Sequence, residues 1–387
     1  MAASYLQEEH EIFRESLRKF LEKEAYPNYE KWEEDRIIPR EFWRKMGEQG
    51  FLCPDIDEKY GGSNVDWGFS VIINEELERV GSGMVGIGLH NDIVVPYITA
   101  YGTDEQKEKW LPKCAAGEII TAIAMTEPGA GSDLAGIRTT ARLDGDHYIV
   151  NGEKTFITNG IHSDLIIIAC KTDPHAVPRH KGVSLLAVER GTEGFSRGRK
   201  LNKVGLHCQD TAELIFEDCR VPKENLIGEE GKGFLYLMEK LQQERLVVAI
   251  AAQVAAEEMI NLTINYVKNR EAFGKPVSQF QNTQFKIAEM ATDIEMGRVF
   301  LNQLIIEHMA GINVVTKVSM AKWKLTENAR KIAAECMQLH GGYGYMEEYE
   351  IARRFRDIPV ASIYAGTNEI MKTIIAKNMG LSQSNGQ

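Results

Sequence analysis

The stretch ITAIAMTEPGAGSD, residues 120–133, marks where the chain changes character, and its reading decides the fold. Before it, the apolar spacing is helical. EEHEIFRESLRKFLEKEA, residues 8–25, repeats apolar side chains at Ile12, Phe13, Leu17, Phe20 and Leu21, and EFWRKMGEQG ends at the helix-stopping Gly50. Further helices are expected over about 69–80, 88–101 and 104–115. Within ITAIA the period becomes two and β-branched residues rise. The same holds for DHYIVNGEKTFITNG (146–160), DLIIIAC (164–170), GVSLLAVE (182–189) and TAELIFEDCRV (211–221). Short runs separated by Gly, Asp, Asn or Pro predict a compact antiparallel sheet, with DPHAVPRHKG (173–182) as its longest loop. After Gly233 the helical period returns in three long segments of about 234–269, 278–309 and 313–340, long enough to require packing against one another in a bundle. The expected fold class is α+β: an N-terminal helical domain over 1–120, a middle β domain over 121–230 and a C-terminal helical bundle over 231–387.

Composition narrows the function. The 387 residues exceed what one core usually supports, so several domains are expected, and with 43% apolar and 26% charged residues disorder is expected only in the tail LSQSNGQ (381–387). The net charge of −11 argues against a nucleic-acid or anionic-membrane surface, since both need clustered Lys and Arg. No apolar run reaches the ~20 residues of a membrane helix. The opening MAASYLQEEHEIFRES is too acidic for an organellar leader, so a cytoplasmic or an already processed mitochondrial matrix protein is expected. The cysteines at 53, 114, 170, 208, 219 and 336 are dispersed and read as reduced structural thiols, and no histidine spacing suggests a metal site.

Several glycine-containing stretches need weighing. GSGMVG (81–86) fits a dinucleotide pattern but follows a charged helix rather than a strand, and reads as a flexible connection; GEEGKGF (228–234) lacks Walker spacing and reads as a linker. MTEPGAGSD (125–133) leaves a strand directly and bares backbone N–H groups, a surface suited to phosphates and heterocycle edges. KTFITNG (154–160) and QLHGGYGYM (338–346) place an aromatic ring and three glycines where backbone approaches something closely or simply turns. The helix from 234 carries an apolar seam through Leu237, Leu241, Val248, Ala251, Ala255, Met259, Leu262 and Tyr266, and that seam is interrupted by Glu244. A carboxylate there pairs structurally with a neighbouring cation, faces solvent on a rotated helix, or is a base whose affinity for protons is raised by desolvation.

Taken in order, AMTEPGAGSD, NGEKTFITNG, NREAFGKPVSQFQ, QLHGGYGYMEEY and YAGTNEIM resemble the acyl-CoA dehydrogenase family along essentially the whole chain. The resemblance implies three domains ending in a four-helix bundle, a homotetramer, bound FAD, and desaturation of an acyl-CoA between Cα and Cβ. It implies that the flavin is lined by Ile123, Met125, Thr126, Gly131 and Ser132 together with Phe156, Ile157 and Thr158. Arg270, Gln281 of a neighbouring copy, Gln338, Leu339, His340, Gly341, Gly342, Thr367, Asn368 and Glu369 would hold the rest of FAD. Ser132, Gln242, Gln243, Arg245, Ala365 and Gly366 are the implied substrate contacts.

Many family members carry a catalytic glutamate directly after the tyrosine of the closing motif, and this chain departs from them with Ala365. A smaller set, the long-chain and isovaleryl-CoA dehydrogenases, carries the base on the first bundle helix, and QQERLVVA (242–249) is similar to that version, which makes Glu244 the implied base. GRKLNKVGLHCQDTAELIFEDCRVP and LHGGYGYMEEYEIARRFRD look closest to the long-chain enzymes. The implied products are a trans-2-enoyl-CoA and electrons passed to electron-transfer flavoprotein. Other readings are an isovaleryl or short branched-chain dehydrogenase, an acyl-CoA oxidase-like enzyme, or a catalytically silent flavoprotein scaffold.

Overall fold

A computed structural model describes residues 5–381; the predicted tail from residue 382 lies outside them. The first part is helical, with α1 (Glu8–Glu24), α2 (Tyr29–Asp35), α3 (Arg40–Glu48), α4 (Trp67–Val80), α5 (Val85–Gly88), α6 (Val95–Tyr101) and α7 (Asp104–Ala115). α4 is the inner helix of this layer. Its N-terminus is capped by Asp66, whose side chain accepts from Gly68 N at 2.7 Å, and nearly all of its residues are buried. The single helix expected over 88–101 is broken: Leu89–Val94 form a wider π-helical turn before α6, where Pro96 sits in the first turn and has no N–H to give.

The middle part is one sheet of β1 (Thr121–Ala124), β2 (Thr140–Asp144), β3 (His147–Thr158), β4 (Leu165–Lys171), β5 (Val183–Glu189), β6 (Phe195–Lys200), β7 (Thr211–Pro222) and β8 (Leu226–Ile227). Its path runs β6-β7-β3-β2-β4-β5-β8, with β1 added on β4. The expectation of a purely antiparallel sheet is corrected here, because β1 and β2 both pair with β4 in parallel. The reason is burial. Every residue of β1 and β4 is buried, as parallel strands covered on both faces are. The connection 125–139, not 173–182, is the longest in the sheet, and β6 went unread in the sequence.

The last part contains α8 (Gly233–Asn269), a hairpin of β9 (Glu271–Ala272) and β10 (Lys275–Pro276), α9 (Gln281–Met309), α10 (Val315–Leu339), α11 (Glu350–Asp357) and α12 (Asn368–Asn378). At 37 residues α8 is about 55 Å long. It is long and apolar enough to cross a membrane by length and composition, yet 67% of its most apolar window is buried inside the protein. Leu246, Ala249, Ile250 and Met259 of α8 share one core with Leu304, Ile305, Leu325 and Ile332 of α9 and α10. A buried charge network ties α4 into this bundle: Glu75 accepts from Arg14 at 2.8 Å and from Arg298 at 2.6 Å, and Arg298 also bonds Glu257 of α8. α4 and α8 are thereby held side by side. All six cysteines are buried and free.

Candidate active site

A cleft enclosing about 1000 Å³, part of it open to solvent, lies between α4, α8, the ends of β1 and β3, and the turn before α12. Each helix contributes one face at helical spacing. From α4 come Asn74, Leu77 and Glu78; from α8 come Glu244, Val247, Val248 and Ala251. Ile123, Met125 and Thr126 enter from the end of β1, Phe156, Ile157 and Thr158 from β3, and Tyr364 and Ala365 close the far side. The structure therefore brings together Glu244, Ala365 and six of the residues singled out in the sequence as flavin-lining.

Glu244 is 3% exposed. Burial pushes its carboxyl up to about 7, opposed by a hydrogen bond from Tyr97 and the charge of Arg245. Tyr97 Oη donates to Glu244 Oε1 at 3.2 Å. Among the described residues no other hydrogen bond reaches this carboxylate. Asp92 and Glu78 nearby are also pushed up to about 7 by burial. Both are engaged elsewhere: Asn74 Nδ2 donates to Asp92 at 2.7 Å, and Ser82 Oγ donates to Glu78 at 2.6 Å.

The turn YAGTNEI is pinned from α10. Lys322, fully buried, donates to Gly366 O at 2.7 Å and to Asn368 Oδ1 at 3.2 Å, and makes no ion pair among the described residues. Burial and the neighbouring Arg245 draw its ammonium down to about 8. Ala365 sits at φ +52, a left-handed conformation that costs a non-glycine residue on the order of 1 kcal/mol. Among the described residues its N–H meets no acceptor.

Some proposed contacts fall elsewhere. Gln242 and Gln243 lie about 200° and 100° around the helix from Glu244 and turn away from the cleft. Gln242 Oε1 accepts from Val314 N at 3.0 Å, and Gln243 Nε2 donates to Asp92 O at 2.7 Å. Arg245 is buried beside Lys322 and its Nε has no partner. Asn368 is spent inside, bonded to Lys322 and Thr326, while Thr367 caps α12 by accepting from Ile370 N at 3.3 Å and Glu369 is exposed. Gly131 and Ser132 are exposed in the loop beyond the cleft wall. That loop is anchored by Glu127, whose carboxylate accepts from Lys154 Nζ at 2.8 Å and from the N–H groups of Arg138 and Thr139.

GSGMVG is not a flexible connection but a buried turn on the cleft wall. A side chain at Gly86 would collide with Gln209 and Asn159, and one at Gly88, which lines the cleft, with Asn74. The sequence reading missed Asn74, Leu77, Glu78 and Tyr97. The four buried polar residues of VIINEELERV, Asn74, Glu75, Glu76 and Glu78, could have signalled the first three; nothing marked Tyr97.

A second recess, about 900 Å³ counting the space open to solvent, is lined by Arg270, Gln338, Leu339, His340, Gly341 and Gly342, with Tyr266 and Tyr343. These residues suit a flat, phosphorylated cofactor. A Cβ at Gly342 would meet no protein atom, so packing does not require glycine there, whereas close approach of a ligand would. Arg270 has no carboxylate partner among the described residues and is free to meet a phosphate. His340 stacks on Tyr266 at 4.2 Å between ring centroids, and burial lowers its affinity for a second proton. In the cleft, Phe156 is 68% exposed at φ +59, an aromatic face left for a planar partner. Gln281 is exposed at the start of α9, outside both cavities of its own chain.

A helical, β, helical chain with a buried carboxylate in a flat-ligand cleft is the architecture of a flavin-dependent dehydrogenase. Comparison with known proteins makes that specific. The N-terminal, middle and C-terminal domain models of acyl-CoA dehydrogenase match residues 7–118, 122–219 and 231–380. The long-chain specific acyl-CoA dehydrogenase of Sus scrofa mitochondria is 48% identical over 371 residues, covering 96% of this chain and 86% of its own. An acyl-CoA dehydrogenase from Geobacillus kaustophilus superposes with a TM-score of 0.97 at 72% identity, over 98% of this chain and 100% of the other. A structure from work on the electron transferring flavoprotein of Acidaminococcus fermentans gives 0.93 at 37% identity, over 97% and 99%. This chain belongs to the acyl-CoA dehydrogenase family, FAD-dependent oxidoreductases acting on the CH–CH group of acyl-CoA thioesters.

Proposed function

We propose that the protein converts a medium-to-long or branched acyl-CoA to the trans-2-enoyl-CoA, with Glu244 as the base, FAD as cofactor and electron-transfer flavoprotein as electron acceptor. The observation that carries this reading is Glu244: the cleft wall formed by α8 is apolar at Val247, Val248 and Ala251 and interrupted by one carboxylate whose proton affinity lies near neutrality. Bound FAD would supply the hydride acceptor. The chain's own residues do the rest. Glu244 takes the α-proton, and the free N–H of Ala365 supports charge on the thioester oxygen, so losing a carboxylate side chain at 365 leaves that donor in place. Leu77, Met84, Leu89 and Ile93 supply apolar wall for an acyl tail. Ile123–Thr126 and Phe156–Thr158 would hold the flavin ring. Arg270 and Gln338–Gly342 would hold its polar half, with Gln281 from a neighbouring copy. The exposed apolar residues Phe273 (96%), Phe285 (57%), Met296 (60%) and Val299 (62%) of the hairpin and α9 support a homotetramer.

The test is anaerobic bleaching of the flavin absorbance on adding butyryl-, isovaleryl-, octanoyl- and palmitoyl-CoA. Fastest bleaching with octanoyl- or palmitoyl-CoA is expected. Bleaching by isovaleryl-CoA alone would move the assignment to the branched short-chain type, and none at all would contradict it.

A further inference from the structure

We propose that Tyr97 is a positioning residue for the base: its phenol fixes one oxygen of the Glu244 carboxylate and leaves the other turned to the cleft. This rests on reading Glu244 as the base. A glutamate side chain has several soft torsions, and a carboxylate loose in a cavity samples many directions, only a few of which reach a substrate α-carbon. Here the hydrogen bond from Tyr97 Oη takes Oε1 alone. The tyrosine cannot swing away, because α6 holds it with 0% exposure, packed against Tyr101 at 6.3 Å between ring centroids.

Among the described residues, the groups facing α8 here leave Tyr97 as the only donor. From α4, Glu78 is bound by Ser82 and lies 3.7 Å from Arg354. From the π-helical turn, Asp92 is bound by Asn74. From α9, His308 Nε2 meets Gln243 Oε1 at 3.4 Å, and from α10, Lys322 is spent on the turn before α12. Tyr364 lines the cleft, and neither it nor Arg245 on α8 itself, whose Nε has no partner, is hydrogen-bonded to Glu244 among the described residues. A donor to a carboxylate strengthens as the carboxylate becomes charged, so the same bond that orients Glu244 also favours its ionised, proton-accepting form.

Tyr97→Phe keeps the ring and removes the donor. The expected result is that the pH midpoint of anaerobic flavin bleaching moves up by about one pH unit and the rate at pH ~7 falls at least about fivefold, with a residual loss on the high-pH plateau, where the ionised carboxylate is no longer oriented. FAD content and melting temperature at pH ~5 should match wild type. Replacing Tyr97 by 3-fluorotyrosine, a stronger donor of the same shape, should move the midpoint the other way. A midpoint unmoved from wild type would overturn the proposal, whether the rate falls by one factor at every pH or not at all. Glu244→Gln run alongside separates the two claims. If it still bleaches, the base reading fails; if it is inactive while Tyr97→Phe follows the wild-type profile, only the positioning role fails.

Discussion

Replacing Glu244 by Gln removes a buried acid at nearly constant volume, and its effect on stability should depend on pH with a definite sign. Burial raises this carboxyl from 4.5 to about 7 in the fold. The unfolded chain gives up the proton near 4.5, whereas the folded chain holds it until about 7. The native state therefore loses stability as the pH rises between these values and keeps the deficit above them. That deficit is ~3 kcal/mol at pH ~8.5 and under ~1 kcal/mol at pH ~5. Gln carries no charge and can still accept the Tyr97 phenol. The variant should thus be more stable than wild type by ~3 kcal/mol at pH ~8.5, a rise of about 4 °C in Tm if the chain unfolds with the usual entropy of ~2.1 cal/mol/K per residue. Near pH ~5 the two should melt almost together. The assay is thermal unfolding of both FAD-saturated proteins at the two pH values. A variant no more stable than wild type at pH ~8.5, or a difference that does not change with pH, would refute a carboxyl held protonated by burial.

Other perturbations follow from the same geometry. The rate of anaerobic flavin bleaching by saturating substrate should rise roughly tenfold between pH ~6 and pH ~8, as the ionised fraction of Glu244 climbs through its midpoint near about 7; stopped-flow absorbance measures it, and a flat profile would contradict the assignment. Lys154→Met strands the buried Glu127 carboxylate with only the N–H groups of Arg138 and Thr139, and should cost ~3 kcal/mol or more in denaturant unfolding and loosen FAD, read as flavin lost on gel filtration. Ala365→Gly relieves a left-handed alanine and keeps the backbone N–H, so stability should stay within ~1 kcal/mol of wild type and bleaching should persist; a large rate loss would place the alanine side chain itself in the site.

The three-part order was legible because periodicity changes sharply on either side of the sheet, at Ile120 and at Gly233. Glu244 was legible because a charge on an apolar seam is conspicuous at helical spacing, and the structure buries it. What failed depended on contacts distant in sequence. The parallel pairing of β1 with β4 joins strands about 40 residues apart, and no local pattern records it. Gln242 and Gln243 adjoin the base in sequence, but helical rotation carries them onto other faces. Tyr97 lies 147 residues from the carboxylate it touches, and a tyrosine on an apolar helix has no signature beyond its burial.

The most direct test of the central claim is anaerobic addition of octanoyl- or palmitoyl-CoA to wild type and to Glu244→Gln, each with FAD bound, while the flavin absorbance is followed. The account predicts rapid bleaching of wild type and a rate at least about a hundredfold slower in the variant, the usual weight of a positioned base. Rapid bleaching of Glu244→Gln would mean that the proton goes to another group, and that the carboxylate on α8 is not the base.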